Sequence, residues 1–229
     1  MRSRLGKIFL VGIMVITASV FFQGMVSAAG IIINEIGFNP DVVDDTDGEF
    51  IELYNAGIDA VNIDGYSFEG VSVDLSGITL LPGEFLVLAR EAVDGSDADT
   101  DSFETVYGDG DGDLDEFGFI VLDFAGSLLN SGELLVLRDN GGSVVDSYDY
   151  TAFLGTGADG GGFTVERINP YGPSVNSNFG VSVLSGGTPG HMNSIAVPVP
   201  EPSTALLLAG GLVTLVVLRK RLNGCAGTG

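Results

Sequence analysis

Short apolar runs separated by turn-forming residues fill the middle of the chain. The runs are rich in β-branched and aromatic residues, and none has the spacing and length of an amphipathic helix. The strands that this pattern predicts are 31–36, 49–55, 60–63, 66–68, 83–89, 118–123, 133–138, 143–150 and 163–168. Seven or more short strands in one domain, with 35 glycines in the chain to form turns, predict an all-β fold built as an antiparallel β-sandwich.

A different pattern marks the start of the chain. Three positive charges lie in residues 1–7, an apolar run covers 8–22, and the small residues of 26–29 follow. This three-part order is typical of a secretory signal peptide and predicts cleavage after Ala28 or Ala29. We therefore predict that residues 1–29 direct export, with an uncleaved membrane helix as the alternative.

The second long apolar segment lies near the C-terminus. Residues 204–218 carry no charge, and the basic cluster 219–221 follows them. Such a run predicts a transmembrane helix over 203–218, with the basic cluster at the cytoplasmic surface and the middle of the chain outside the cell. The fifteen uncharged residues 204–218 would reach only ~22 Å as a helix against a hydrocarbon core of ~30 Å, which predicts a weak anchor. One domain, residues 30–196, is expected between the signal peptide and a tail formed by residues 197–229.

Charge limits the partners of this middle domain. Residues 30–196 hold 30 of the 31 acidic residues and only three basic ones, so 30 minus 3 leaves 27 net negative charges. Nucleic acid is excluded as a partner, because its binding depends on Lys and Arg side chains. Cations and neutral or basic polymers fit the charge of the domain. The single cysteine, Cys225, lies in the tail, so no disulfide within the domain is expected.

Alternating aspartates form a candidate metal site. Segment 91–117 holds 11 acids and no basic residue, and we predict an insertion that is too polar to bury. Carboxylates occupy alternate positions within it, at Asp109, Asp111, Asp113 and Asp115. Calcium collects six to eight oxygen ligands, so this segment is a candidate calcium site, although its spacing does not match an EF-hand. A solvated acidic loop without a bound ion is the alternative.

Few residues support catalytic chemistry. The domain has one histidine, His191, in a Pro- and Gly-rich exit segment. A serine nucleophile would therefore lack a fixed base, and a zinc ion would lack ligands. We expect no enzyme and no required cofactor. Because 30 acids produce pairs at almost any separation, a carboxylate-based hydrolase stays open as an alternative.

Other charged and aromatic residues have structural interpretations. Glu166 with Arg167, and Arg138 with Asp139, are predicted to form ion pairs on the surface. Tyr148 is predicted to pack in the core of the domain.

The middle of the chain resembles a known family. The motifs that carry the resemblance, in order, are Ile33-Asn34-Glu35-Ile36, the strand 49–55, Asp64-Gly65-Tyr66, Leu81-Pro82-Gly83-Glu84, Leu129-Asn130-Ser131-Gly132-Glu133, Val145-Asp146-Ser147, Glu166-Arg167, and Thr188-Pro189-Gly190 with Asn193. Together they resemble the lamin-tail domain as it occurs in secreted bacterial proteins. The resemblance implies an immunoglobulin-like β-sandwich and no shared catalytic residues.

The tail resembles the PEP-CTERM sorting signal of exported bacterial proteins, which the membrane protease exosortase processes. A Pro-Glu-Pro motif, a short apolar helix and a basic end follow one another in this signal. Here the motif and the basic end are Pro200, Glu201, Pro202, Arg219, Lys220 and Arg221. The resemblance implies a membrane-anchored precursor and exosortase as a partner.

These expectations favour a non-enzymatic, exported structural or interaction module of the cell surface or extracellular matrix. Exopolysaccharide or other surface proteins are its expected partners, and calcium is an optional ligand. A carbohydrate-binding module is the main alternative, and a carboxylate-based hydrolase is the third.

Overall fold

The computed structural model describes residues 30–40, 45–94 and 101–197. The elements in these ranges are β1 (Ile31–Gly37), α1 (Asp45–Gly48), β2 (Phe50–Asn55), β3 (Val61–Asn62), β4 (Ser67–Phe68), β5 (Ser72–Val73), β6 (Thr79–Leu80), β7 (Phe85–Ala89), α2 (Phe103–Tyr107), β8 (Ile120–Ala125), β9 (Leu134–Arg138), β10 (Val144–Asp149), β11 (Val165–Arg167) and β12 (Phe179–Val181). Short 3-10 turns cover Tyr150–Phe153 and Asn176–Asn178. The all-β prediction is confirmed.

The strands form one large sheet and two small ones. The seven-stranded sheet has the order β12-β11-β1-β2-β7-β8-β5, the three-stranded sheet β10-β9-β4, and the two-stranded sheet β3-β6. All pairs are antiparallel except β7 and β8, which are parallel. The prediction of a purely antiparallel fold is wrong at this pair. The cause is the long connection between the two strands, since a parallel pair needs a crossover of a dozen or more residues and the acidic segment supplies one.

The main core lies between the two larger sheets. Every residue of β1 and β2 is buried, and alternate side chains such as Ile33, Ile51 and Leu53 point to this core. Leu135 and Leu137 of β9 meet them from the other sheet. The other residues of β1 and β2 are also buried, although four of them are polar: Asn34, Glu35, Glu52 and Asn55.

The acidic segment builds a second core on the outer face of the large sheet. Ser102 caps α2, because its hydroxyl accepts from Thr105 N while the Thr105 hydroxyl accepts from Ser102 N. The helix thereby holds Phe103 fully buried, with its ring 5.9 Å from that of Phe50. The prediction that this insertion is too polar to bury is therefore wrong: its aromatic residues anchor it to the sheet, while the aspartates that the structure describes in it are exposed.

Two predicted segments lie outside the described residues. They are the signal peptide, residues 1–29, and the transmembrane helix, residues 203–218. Within the described ranges, no helix combines the length and apolar character that crossing a bilayer requires.

Candidate functional site

A row of three buried glutamates crosses the centre of the large sheet. Glu35 of β1 lies opposite Glu166 of β11 on one side and opposite Glu52 of β2 on the other. All three have 0% exposed surface. We call them the glutamate row. Like charges directly opposite on neighbouring strands are destabilising, so the row needs donors that compensate for its burial.

Segment 187–196, which we call the strap, supplies most of those donors, and Thr164 and Asn34 donate to Glu35 and Glu52, respectively. Its bonds to the row are Thr188 N and Oγ1 to Glu35 (2.9 and 3.1 Å), Gly190 N to Glu52, and Ser194 Oγ and Ile195 N to Glu166 (2.7 and 3.0 Å). An amide pair fixes the strap further, because Asn34 Nδ2 donates to Asn193 Oδ1 at 2.8 Å and Asn193 Nδ2 donates back to Asn34 O at 3.0 Å. The strap is therefore part of the fold.

Burial controls the protonation of the row. Desolvation raises the pKa of Glu35 to about 7, and the neighbouring charge of Glu166 acts in the same direction. Desolvation and the charge of Glu35 hold the pKa of Glu52 well above its usual range. The pKa of Tyr107 is also raised, by burial and then by Glu35. Glu35 and Glu52 therefore hold their protons more tightly than exposed glutamates do.

A groove of about 620 Å³ lies between the strap and the acidic segment. Its aromatic wall includes Phe117 and Phe119, whose ring centroids are 5.2 Å apart, and His191 meets Phe119 edge-on at 6.1 Å. Asp109 and Glu116 stand at its rim. Glycine is required at position 190, because a Cβ there would lie 1.9 Å from the ring of Phe119 and the residue has φ +75°. The strap and the aromatic wall are thus in direct contact.

The four predicted calcium ligands fall into two groups. The carboxylates of Asp109 and Asp111 lie within 4.8 Å of each other and of Glu104, and those of Asp113 and Asp115 lie within the same distance of each other and of Glu116. Crowding by Asp113 raises the pKa of Asp115. The four predicted ligands are thus divided between two groups, and calcium binding stays a prediction.

Sequence reasoning missed both glutamates of these groups. Glu104 is buried and accepts the backbone N–H groups of Gly110, Asp111 and Gly112, at 2.6, 3.0 and 3.2 Å. Both oxygens of Glu104 therefore already accept hydrogen bonds, and these bonds fix the shape of the loop. Glu116 is exposed, and the only sequence signal for it was its place next to Asp115.

Comparison with known families decides the identity of the fold. A family model described as Lamin Tail Domain matches residues 26–152, more than half of the chain. The chain belongs to the lamin tail domain family. A second model, the PEP-CTERM protein-sorting motif, matches residues 198–221, which include all six predicted sorting residues. Both predicted resemblances are confirmed. No significant match was found among curated proteins or among solved structures.

The two matches give the broad cellular role. The sorting motif marks an exported protein that exosortase handles at the membrane. The lamin tail domain is a non-catalytic, immunoglobulin-like domain. In this chain the large sheet extends beyond the matched residues, because it includes β11 and β12, which follow residue 152. β11 pairs with β1, and β12 pairs with β11. The strap follows them in turn.

Arg167 is buried in this domain, although a surface ion pair between Arg167 and Glu166 was predicted. Arg167 is 1% exposed and pairs with Asp146 at 2.6 Å instead of with Glu166, which points to the strap. Its guanidinium also donates to Ile33 O at 2.8 Å and lies 4.6 Å from the centroid of Phe179. The prediction is wrong because neighbouring strand residues point to opposite faces of a sheet.

The other two arginines of the domain are also paired. Arg138 forms its ion pair with Glu69, so the prediction of Asp139 as its partner is wrong. Asp139 instead accepts backbone N–H groups of the turn that follows it. Arg90 lies 3.4 Å from the buried Glu49. The prediction for Tyr148 is confirmed, since its ring is buried against Phe179 at 3.5 Å.

Proposed function

We propose that the protein is a non-enzymatic module of the cell surface or extracellular matrix, delivered by its PEP-CTERM tail, with the lamin tail domain in a structural or interaction role. The strap is the observation that carries this proposal. It binds three central strands of the domain, and only Val197 separates it from the sorting motif that begins at residue 198.

The strap suits a junction that bears load. Because its donors bind carboxylates on β1, β2 and β11, tension on the tail is shared among central strands of the sheet rather than applied to an edge strand. Cleavage by exosortase anywhere within residues 198–221 leaves every one of these bonds in place. A domain that works while attached to a surface benefits from such an exit.

The composition of the domain supports an interaction role over catalysis. Its one histidine, His191, is exposed, and its ring Nδ1 lies 3.0 Å from Pro189 O. The excess of acidic residues favours cations and neutral or basic polymers as partners, with exopolysaccharide and other surface proteins as the candidates.

Cell fractionation with mass spectrometry of the mature C-terminus tests the sorting step. In a host with exosortase, the wild-type protein should reach the surface and lose residues from within or after the motif. Replacement of Arg219, Lys220 and Arg221 by Gln should leave it unprocessed, whereas replacement of Lys220 by Arg, which keeps the charge, should not. An unprocessed wild-type chain, or one retained in the cytoplasm, would refute the proposal.

Calcium binding is a second proposed property. The observation that favours it is the group of Asp113, Asp115 and Glu116, whose ligand atoms lie within 4.8 Å of one another. Three exposed carboxylates so close together repel one another, and a divalent cation would relieve the repulsion while accepting their oxygens. Bound calcium would join the acidic segment to acidic exopolysaccharide, and chelation should then release the protein from the cell coat.

A further inference from the structure

The groove between the strap and the acidic segment combines two features that one ligand group can satisfy. Its wall is aromatic, with Phe117 and Phe119 half-buried and their rings in tilted contact, the centroids 5.2 Å apart. Its rim is anionic, with Asp109 and Glu116 exposed. A second depression of about 480 Å³ is also lined by these two rings and includes the carboxylate of Glu84.

No arginine or lysine of the described residues is free to neutralise this groove. Each of the three arginines in the described residues is already in an ion pair, with Glu49, Glu69 and Asp146 as the partners. Thr188 lines the groove and also donates to Glu35, so the groove adjoins the buried row.

Arginine is the side chain that best matches such a surface. Its planar guanidinium stacks on aromatic faces and binds carboxylates in a fork, and it sheds water more easily than the ammonium of lysine. A basic segment with several arginines could place one guanidinium on the Phe117–Phe119 surface and others against the acidic loop. A neutral polymer would leave the rim carboxylates without partners.

We propose that this aromatic groove is a docking site for an arginine-containing basic segment of a partner protein. The proposal rests on the proposed function as an interaction module and names the chemistry of its partner. Purified full-length protein in a nonionic detergent should bind an acetylated hexa-arginine peptide in calorimetric titration. A hexa-lysine peptide of the same charge should bind more weakly, because it lacks the planar group.

Matched variants separate the groove from the overall charge. Glu116→Gln removes a rim charge and should weaken hexa-arginine binding about tenfold. Asp64→Asn removes the same charge from an exposed turn after β3 and should change the affinity less than about twofold, because salt screens distant charges. Phe117→Leu keeps apolar volume but removes the π face, and it should weaken arginine binding about fivefold while barely affecting lysine binding.

Three results would overturn the proposal. The first is an equal loss of hexa-arginine affinity in Glu116→Gln and Asp64→Asn. The second is equal affinity for the arginine and lysine peptides. The third is binding of a neutral polysaccharide in place of either peptide. Glu116→Gln is an exposed substitution that leaves the fold intact, so it gives an answer even if Phe117→Leu fails to fold. Binding in vitro is independent of sorting in cells, so either proposal can fail without the other.

Discussion

Acidification should stabilise this domain, and Glu49 provides the sharpest test. Its carboxyl has 0% exposed surface, and desolvation raises its pKa from 4.5 to about 7. One oxygen accepts from Leu128 N at 3.1 Å, while Oε1 has no hydrogen-bond partner among the described residues. Glu49→Gln keeps the shape and the acceptor for Leu128 but removes the titration and the negative charge that faces Arg90.

The sign and size of the effect follow from linkage. A pKa that is higher in the folded state means that the folded state holds its proton more tightly than the unfolded state. The resulting stabilisation is complete below pH 4.5 and is lost as the pH rises to about 7. For this one residue the free energy of unfolding should fall by about 3 kcal/mol over that interval. Glu35, whose pKa is also about 7, acts in the same direction.

Urea unfolding at several pH values between 4.5 and 8 measures this quantity. The wild-type protein should lose stability as the pH rises, and Glu49→Gln should lose about 3 kcal/mol less over the interval. Asp59→Asn, which neutralises an exposed carboxylate, serves as the control for net charge. A difference between Glu49→Gln and wild type that stays constant with pH would refute the reasoning, as would a wild-type stability that increases toward pH 8.

Three further predictions concern other parts of the domain. Gly190→Ala should destabilise it by at least about 1 kcal/mol and speed proteolysis of the strap, because the new Cβ meets Phe119. Arg167→Lys should cost about 3 kcal/mol in chemical denaturation, since one ammonium cannot replace the buried guanidinium. Calcium at ten times its dissociation constant should add about 1.4 kcal/mol of stability, measured as a higher Tm, and this gain should vanish on chelation and in Asp113→Asn/Asp115→Asn.

The sequence pattern was sufficient for most strands. Apolar runs between turn residues located β1, β2, β7 and β9 within a residue or two of their observed bounds. It missed β5, β6 and β12, which have only two or three residues each, although it located the equally short β3, β4 and β11 inside longer predicted runs. It also missed the parallel pair, since strand direction depends on which strands become neighbours in space.

The sequence predicted the candidate site less well than it predicted the strands. Glu35 and Glu52 occupy alternate positions in apolar strands, which is the pattern of a sheet with one face in water. Only the structure reveals that the strap covers that face. The prediction that the acidic segment is too polar to bury failed for a related reason. Its 11 acids dominate its composition, while its packing depends on a few aromatic residues such as Phe103.

The strap connects the two proposed functions of the domain through single residues. Thr188 binds the glutamate row with its N–H and lines the docking groove, and Gly190 binds Glu52 while its Cα lies against Phe119. A segment docked in the groove therefore presses on the same residues that carry tension from the tail. Because breaking the strap would dismantle one wall of the groove, we expect tension on the anchor to release the bound segment. We also expect hexa-arginine to slow hydrogen exchange at Gly190 N more than at amides of β9.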